Sequence, residues 1–134
     1  MSATTVLNGV GEVLAASGRH LGESGWLDLT GDRIALFESV AGPAAAEYLV
    51  LALSNHFLPQ ILDVRGVAMG VNYGVDCVRF PARVGAGDRL RARADLIDAR
   101  PVAGGVQTTI RITIEAAGQP EPACVIDSVS RWLE

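Results

Sequence analysis

Between Val64 and Leu96 the chain reads VRGVAMGVNYGVDCVRFPARVGAGDRLRARADL, with a proline-marked corner at Pro81 and a turn at Gly87-Asp88. Strand-forming residues separated by two turn signals predict antiparallel strands folded back on one another, over Val64–Tyr73, Val75–Phe80 and Leu90–Ala99. Two more strands are predicted downstream, Val106–Ala116 and Ala123–Leu133. The two-residue period is cleanest where Leu90, Ala92, Ala94 and Leu96 alternate with Arg91, Arg93 and Asp95. It is equally clean where Val106, Thr108, Ile110, Ile112 and Ile114 alternate with Gln107, Thr109, Arg111, Thr113 and Glu115. Such alternation gives each strand one buried and one wet face. The connector DARPVAGG, Asp98 to Gly105, carries Pro and Gly-Gly signals and reads as a hairpin loop.

Upstream the periodicity changes. Val6, Val10, Val13 and Leu14 recur at helical spacing, which predicts a short helix over residues 5–16. A turn through Gly22 and Gly25 and a short strand at Trp26–Leu29 follow. Thr30 is placed to cap a second helix, with Asp32 in its first turn where the helix dipole favours negative charge. That helix ends at Ala41-Gly42-Pro43. Residues 44–58, AAAEYLVLALSNHFL, are apolar nearly all round, which predicts a helix surrounded by protein and closed by Pro59. A buried helix needs a wrapping, and the five strands supply one. The expected fold class is α+β, a curved antiparallel five-stranded sheet around a central helix, as a single domain over residues 1–134.

Composition sets the outer limits. A net charge of −4, with arginines alternating along strands instead of forming a block, argues against a nucleic-acid partner. No apolar run approaches the roughly 18 residues of a membrane span. The N-terminal stretch is broken by Asn8, Gly9 and Glu12 and does not read as a leader. Cys77 and Cys124 have neither disulfide-framework nor zinc-ligand spacing, so no metal or cofactor is expected and a cytoplasmic location with reduced thiols is. Aromatic content of 5% leaves a core of small residues, for which pairing of two copies would add buried area.

The sequence resembles the MaoC-like dehydratases, in particular their NodN-like subgroup, which have the hot-dog fold. The resemblance is carried by LGESGW (Leu21–Trp26), by Gly66–Leu96 with MGVNYGVDCVRFPARV at its centre, by AGGVQTTIRITIE (Ala103–Glu115) and by PACVIDSVSRW (Pro122–Trp132). It implies (R)-specific enoyl-thioester hydratase or dehydratase chemistry in a homodimer whose sheets join edge to edge. In that family an Asp and a His five residues later, on a loop before the central helix, position and activate water. A Gly at the helix start offers its N–H to the thioester oxygen. A carboxylate with an imidazole is a competent acid/base pair, and a helix N-terminus suits a developing oxyanion.

Here Phe37–Leu49, FESVAGPAAAEYL, contains no His and no Asp. Pro43 stands where the family's Asp is expected, the loop with the His is read as deleted, and the helix-start phrase has become Ala45-Ala46-Glu47. Loss of such a pair removes about 10² to 10⁴ in rate, and loss of the loop is expected to open the pocket beside the central helix. Candidate catalytic residues are then Glu47, in the first turn of the helix, with Tyr48 and His56. Candidate substrate-binding residues are Pro43, Asn55, Asn72 and Tyr73. Asn55 and His56 follow Glu47 and Tyr48 by eight residues each, a spacing that can share a groove. Each also has a plainer structural role open to it: a helix-end charge for Glu47, core packing for Tyr48, a hydrogen-bonded histidine for His56, strand pairing for Asn72 and Tyr73.

The preferred functional reading is a lyase or cyclase acting on a conjugated acyl-thioester or polyketide-like substrate, linked to CoA or a carrier protein. A non-catalytic binding or assembly subunit is the alternative, and residual hydratase or dehydratase activity ranks third.

Overall fold

The structure is a computed structural model that describes residues 1–43 and 46–134. Its elements in chain order are β1 (Thr5–Asn8), α1 (Gly9–Ala15), β2 (His20–Glu23), β3 (Leu27–Asp28), α2 (Gly31–Ala41), α3 (Ala46–Ala52), α4 (Ser54–Ile61), β4 (Leu62–Arg65), β5 (Met69–Arg79), β6 (Arg89–Val102), β7 (Gly105–Ala116) and β8 (Cys124–Leu133). The main sheet runs β2-β6-β7-β8-β5, all antiparallel, with β3 also paired to β6. The expected α+β arrangement of a mostly antiparallel sheet against helices is observed.

β6 and β7 form its centre. Leu90, Ala92, Ala94 and Leu96 on one strand, and Val106, Thr108, Ile110, Ile112 and Ile114 on the other, are all at most 1% exposed. The registers Ala92↔Ile114, Ala94↔Ile112 and Leu96↔Ile110 set small and large side chains side by side on one face. Helix α4 lays Phe57 and Ile61, four residues apart and therefore on one stripe, into the same core. Leu49 and Val50 of α3 extend it.

Several elements differ from expectation. The predicted helix over 5–16 begins as strand β1, because Thr5–Asn8 pair in parallel with Leu62–Arg65, a tertiary contact that helical periodicity does not anticipate. The turn expected through Gly22 is instead edge strand β2, held by Gly22↔Ala94 and Glu23↔Arg93. The two strands expected over 64–80 are one, Met69–Arg79, with register shifts at Asn72/Gly74 and Val75/Cys77 that absorb the irregularity without ending it. β6 continues through Pro101 to Val102, so the hairpin loop shrinks to Ala103-Gly104, with Gly104 at φ +78.

The central helix is the largest correction. It breaks into α3 and α4 at Leu53, and it is open on one side, with Glu47, Tyr48, Ala52, Asn55, His56 and Pro59 exposed. Its expected start at residue 44 lies outside the described residues. Pro59 does not close the helix but lies within α4. A proline has no N–H for the carbonyl four residues earlier, here that of Asn55, and both residues are exposed where solvent can satisfy that carbonyl. The sheet covers one side only, and α2, which packs on α3, has no buried residue of its own. Thr30 caps α2 as expected, accepting from the Arg33 N–H at 3.1 Å.

Phe57 is fully buried at the junction of helix and sheet. Phe57→Ala is expected to destabilise the fold by about 3–5 kcal/mol, read as a lower denaturation midpoint in urea at unchanged slope.

Candidate functional site

Residues 42–45, Gly-Pro-Ala-Ala, join α2 to α3 and carry no ionisable side chain. Gly42, at φ +88, ends α2 by donating its N–H to the Glu38 carbonyl at 2.8 Å. Pro43 is exposed. Glu47 is exposed in the first turn of α3, and Tyr48 is 65% exposed with its ring edge-on to Phe80 at 6.5 Å between centroids. Tyr48 is therefore not a core residue.

A cavity of about 370 Å³ lies further along, between α4 and the sheet. Ser54, Asn55, Leu58 and Pro59 border it from the helix side, and Leu62, Asp63 and Val64 from β4. Its floor comes from Gly70, Val71 and Asn72 of β5, Ile112 of β7, and Ser128, Ser130 and Trp132 of β8. The register pairs Asn72 with Ser130 and Gly70 with Trp132. A Cβ at Gly70 would stand 2.7 Å from Trp132 Cζ3, so only glycine leaves the indole its place. The Trp132 Nε1–H donates to Thr108 Oγ1 at 3.0 Å, which fixes the ring.

Asn55 and Asn72 are thus brought together from helix and strand. Pro43, Glu47, Tyr48, His56 and Tyr73 are not among the lining residues. The His56 ring sits 5.3 Å from that of Phe57, and its Nε2 is 3.3 Å from Gln60 Nε2. Gln60 Oε1 in turn accepts the Gly25 N–H at 3.1 Å, so His56 belongs to a chain of contacts that holds the LGESGW segment. Tyr73 lies beneath the Arg131 guanidinium, 3.9 Å from ring to carbon, and that guanidinium also donates to Gln107 Oε1.

Among the lining residues that sequence reasoning missed are Ser128, Ser130 and Trp132 of β8. Their signal was available: along β8 one face reads Cys124, Ile126, Ser128, Ser130, Trp132, apolar and buried at first and then polar. A change of polarity along one strand face marks where the core ends and a cavity begins.

The opposite face of the sheet is ionic. His20 Nδ1 lies 2.6 Å from Asp95 Oδ1, with both side chains partly exposed. Asp95 alternates with the buried Ala94 and Leu96, so this histidine–carboxylate contact faces away from the helices and the cavity. Arg111, opposite Asp95, donates to both carboxylate oxygens of Asp127, at 2.8 and 3.0 Å. Those hydrogen bonds and the guanidinium charge hold the Asp127 carboxyl below its ordinary range and raise Arg111 further. Burial pushes the Cys124 thiol up to about 11. Among the described residues no group of three or more His, Cys, Asp or Glu is placed to hold a metal ion, and no single helix is long and apolar enough to cross a membrane.

The chain is 33% identical to 3-hydroxyacyl-thioester dehydratase Z of Mycobacterium tuberculosis over 144 residues, covering 92% of this chain and 95% of the relative. It is 30% identical to nodulation protein N of Rhizobium leguminosarum bv. viciae, over 84% of this chain and 83% of that protein. The chain belongs to the MaoC/NodN-like family. Solved structures agree on its hot-dog fold. A monoamine oxidase regulatory protein from Archaeoglobus superposes with a TM-score of 0.76 at 15% identity, covering 99% of both chains. The MaoC-like dehydratase from Rhodospirillum rubrum gives 0.70 at 14% identity, over 89% of this chain and 94% of that one. No family model matches the chain. The match with dehydratase Z runs over 144 residues while using 92% of a 134-residue chain, so this MaoC/NodN-like protein lacks counterparts for some residues of its relative.

The depressed Asp127 carboxyl makes a pH prediction. A carboxylate whose folded-state pKa lies below its unfolded value stabilises the fold above that unfolded value, near 4. The contribution is lost as the pH falls through the folded pKa. Asp127→Asn is therefore expected to be less stable than the parent at neutral pH, with the difference shrinking on acidification below pH ~4, as read by thermal unfolding across a pH series.

Proposed function

We propose that this MaoC/NodN-like protein acts on a conjugated acyl-thioester or polyketide-like substrate by a lyase or cyclisation step, and does not carry out ordinary hydration of an enoyl thioester. The observation that carries the reading is the α2–α3 connection: residues 42–45 hold no acid or base, and neither His nor Asp occurs between Phe37 and Leu49. We place the residues missing relative to dehydratase Z in this connection, where the family's water-activating loop is expected.

Without an acid/base pair, rate enhancement has to come from orientation and desolvation of a bound substrate. The cavity between α4 and β5/β8 is the place for it. Asn55 and Asn72 are assigned to hold the substrate there, and Glu47, Tyr48 and His56 remain candidate hydrogen-bonding groups outside its lining. CoA or a carrier protein is the proposed handle. The free thiols of Cys77 and Cys124 fit a cytoplasmic setting.

One observation favours a second reading, a non-catalytic binding or assembly subunit: Glu47, Tyr48 and His56 are all exposed and none borders the cavity. The two readings part on turnover of a conjugated thioester other than an enoyl hydration substrate. Residual hydratase activity stands third.

We also assign a homodimer built on β5. This strand is an outer edge of the sheet, 11 residues long, with Met69, Tyr73 and Val75 more than half exposed. A long edge with apolar side chains is a template for pairing with a second strand.

Two measurements test the activity and the dimer. Incubation with crotonyl-CoA, followed by loss of enoyl absorbance, is expected to show no hydration above the uncatalysed rate, and rapid turnover overturns the reading. Light scattering on an eluting sample is expected to give twice the 14.0 kDa chain mass, and Val75→Lys, which places a charge on the edge, is expected to shift the protein towards monomer.

A further inference from the structure

We infer that the cavity selects an uncharged, flat, oxygen-bearing segment, such as a conjugated ketone or a hydroxylated ring, over a plain alkyl chain. The inference deepens the proposed function, from which it takes only that the ligand is acyl-derived.

Three features of the lining carry it. First, the floor includes an aromatic ring that is held in place. Trp132 is anchored through Thr108 and has its place only because residue 70 is glycine. A ring held in advance presents a stacking surface at little entropic cost to the complex.

Second, the wall carries polar groups with nothing to bond. Among the described residues no side-chain hydrogen bond involves Ser54, Asn55, Asn72, Ser128 or Ser130, all of which border the cavity. Asn72 and Ser130 are cross-strand neighbours, so an amide and a hydroxyl stand side by side on the floor, while Asn55 faces them from α4. These groups offer N–H and O–H donors as well as acceptors. Asn55 and Asn72 are exposed, where solvent can satisfy them. An alkyl chain would expel that water and leave them unpaired, whereas a carbonyl or hydroxyl oxygen would replace it.

Third, the lining has no cation. Its one ionisable side chain is Asp63, which accepts from Arg65 Nε at 2.8 Å. A carboxylate or phosphate would meet the Asp63 carboxylate and, among the described residues, no opposite charge in the lining, so a neutral segment is the better fit and any anionic handle stays outside. At about 370 Å³ the space is near the lower end of small-ligand sites, which run from about 300 to 1,000 Å³. It fits one ring or a short conjugated chain.

Sites built to hydrogen-bond a substrate oxygen discriminate strongly against analogues without it. The test is calorimetric titration of the full chain with two N-acetylcysteamine thioesters, 4-hydroxycinnamoyl and octanoyl. The 4-hydroxycinnamoyl ester is expected to bind at least about tenfold more tightly. In Asn72→Leu and in Asn55→Leu that preference is expected to fall to near parity or reverse, with folding checked by an unchanged thermal transition. Ser130→Ala, the mildest change, is expected to weaken the 4-hydroxycinnamoyl ester alone and serves if either leucine variant does not fold. Octanoyl binding as tight as 4-hydroxycinnamoyl, a preference that survives all three substitutions, or saturable binding of neither ester overturns the inference. Crotonyl-CoA hydration overturns the proposed function and leaves this preference standing, so the two failures are distinguishable.

Discussion

Burial of one helix stripe against one sheet face organises the molecule. Phe57 and Ile61 of α4 meet a surface on which Ala92 and Ala94 of β6 lie between Leu90 and Leu96, and on which β7 contributes three isoleucines in succession. Two alanines at the centre let the helix approach closely, and each large side chain removed from water there is worth about 1.5–3 kcal/mol. With one side of the helix committed in this way, the other side has no sheet to cover it. Its exposed polar residues and the cavity along its edge follow from that asymmetry.

The sheet also divides the polar groups of the protein into two populations. On the outer face they are paired across strands: His20 with Asp95, Arg91 with Glu115, Arg111 with Asp127, and Arg131 with both Gln107 and Tyr73. Paired groups of this kind hold register and solubility and are poor candidates for chemistry. Asn72, Ser128 and Ser130 on the inner face, with Asn55 on α4, border a cavity and have no side-chain hydrogen bond among the described residues. Alternation along a strand puts both populations in neighbouring positions, as in the step from Asn72 to Tyr73.

That alternation also explains what the sequence revealed. β6 and β7 were legible because one face is apolar and buried along most of their length and the other is mostly polar or charged, so their patterns are clean. β1, β2 and β4 were not, since four-residue strands are defined by the partner they pair with, and Thr5–Asn8 finds its partner some 57 residues away at Leu62–Arg65. The central helix was half legible. Its composition disclosed that Val50 and Phe57 would be buried, but an apolar residue such as Tyr48 can equally lie on an open side. Among the site residues, Asn55 and Asn72 stood out as polar groups in apolar or signature surroundings. Ser128, Ser130 and Trp132 passed as ordinary strand residues until β8 was given a face.

The same geometry bears on which reactions suit the chain. Hydration of an enoyl thioester is bimolecular, and water is a weak nucleophile that gains from a positioned base and acid, together worth about 10² to 10⁴. A ring closure already contains both reacting groups, so orientation can supply a larger share of its acceleration. Effective molarities of well-oriented intramolecular reactions reach about 10⁵ to 10⁸ M, so holding a flexible chain in a near-attack shape can contribute as much as an acid/base pair. A fixed indole, a row of neutral hydrogen-bonding groups and a connection, residues 42–45, that holds no acid or base supply no proton carrier for the first kind of step. They are compatible with the second, because orientation needs walls and anchors more than it needs a proton carrier.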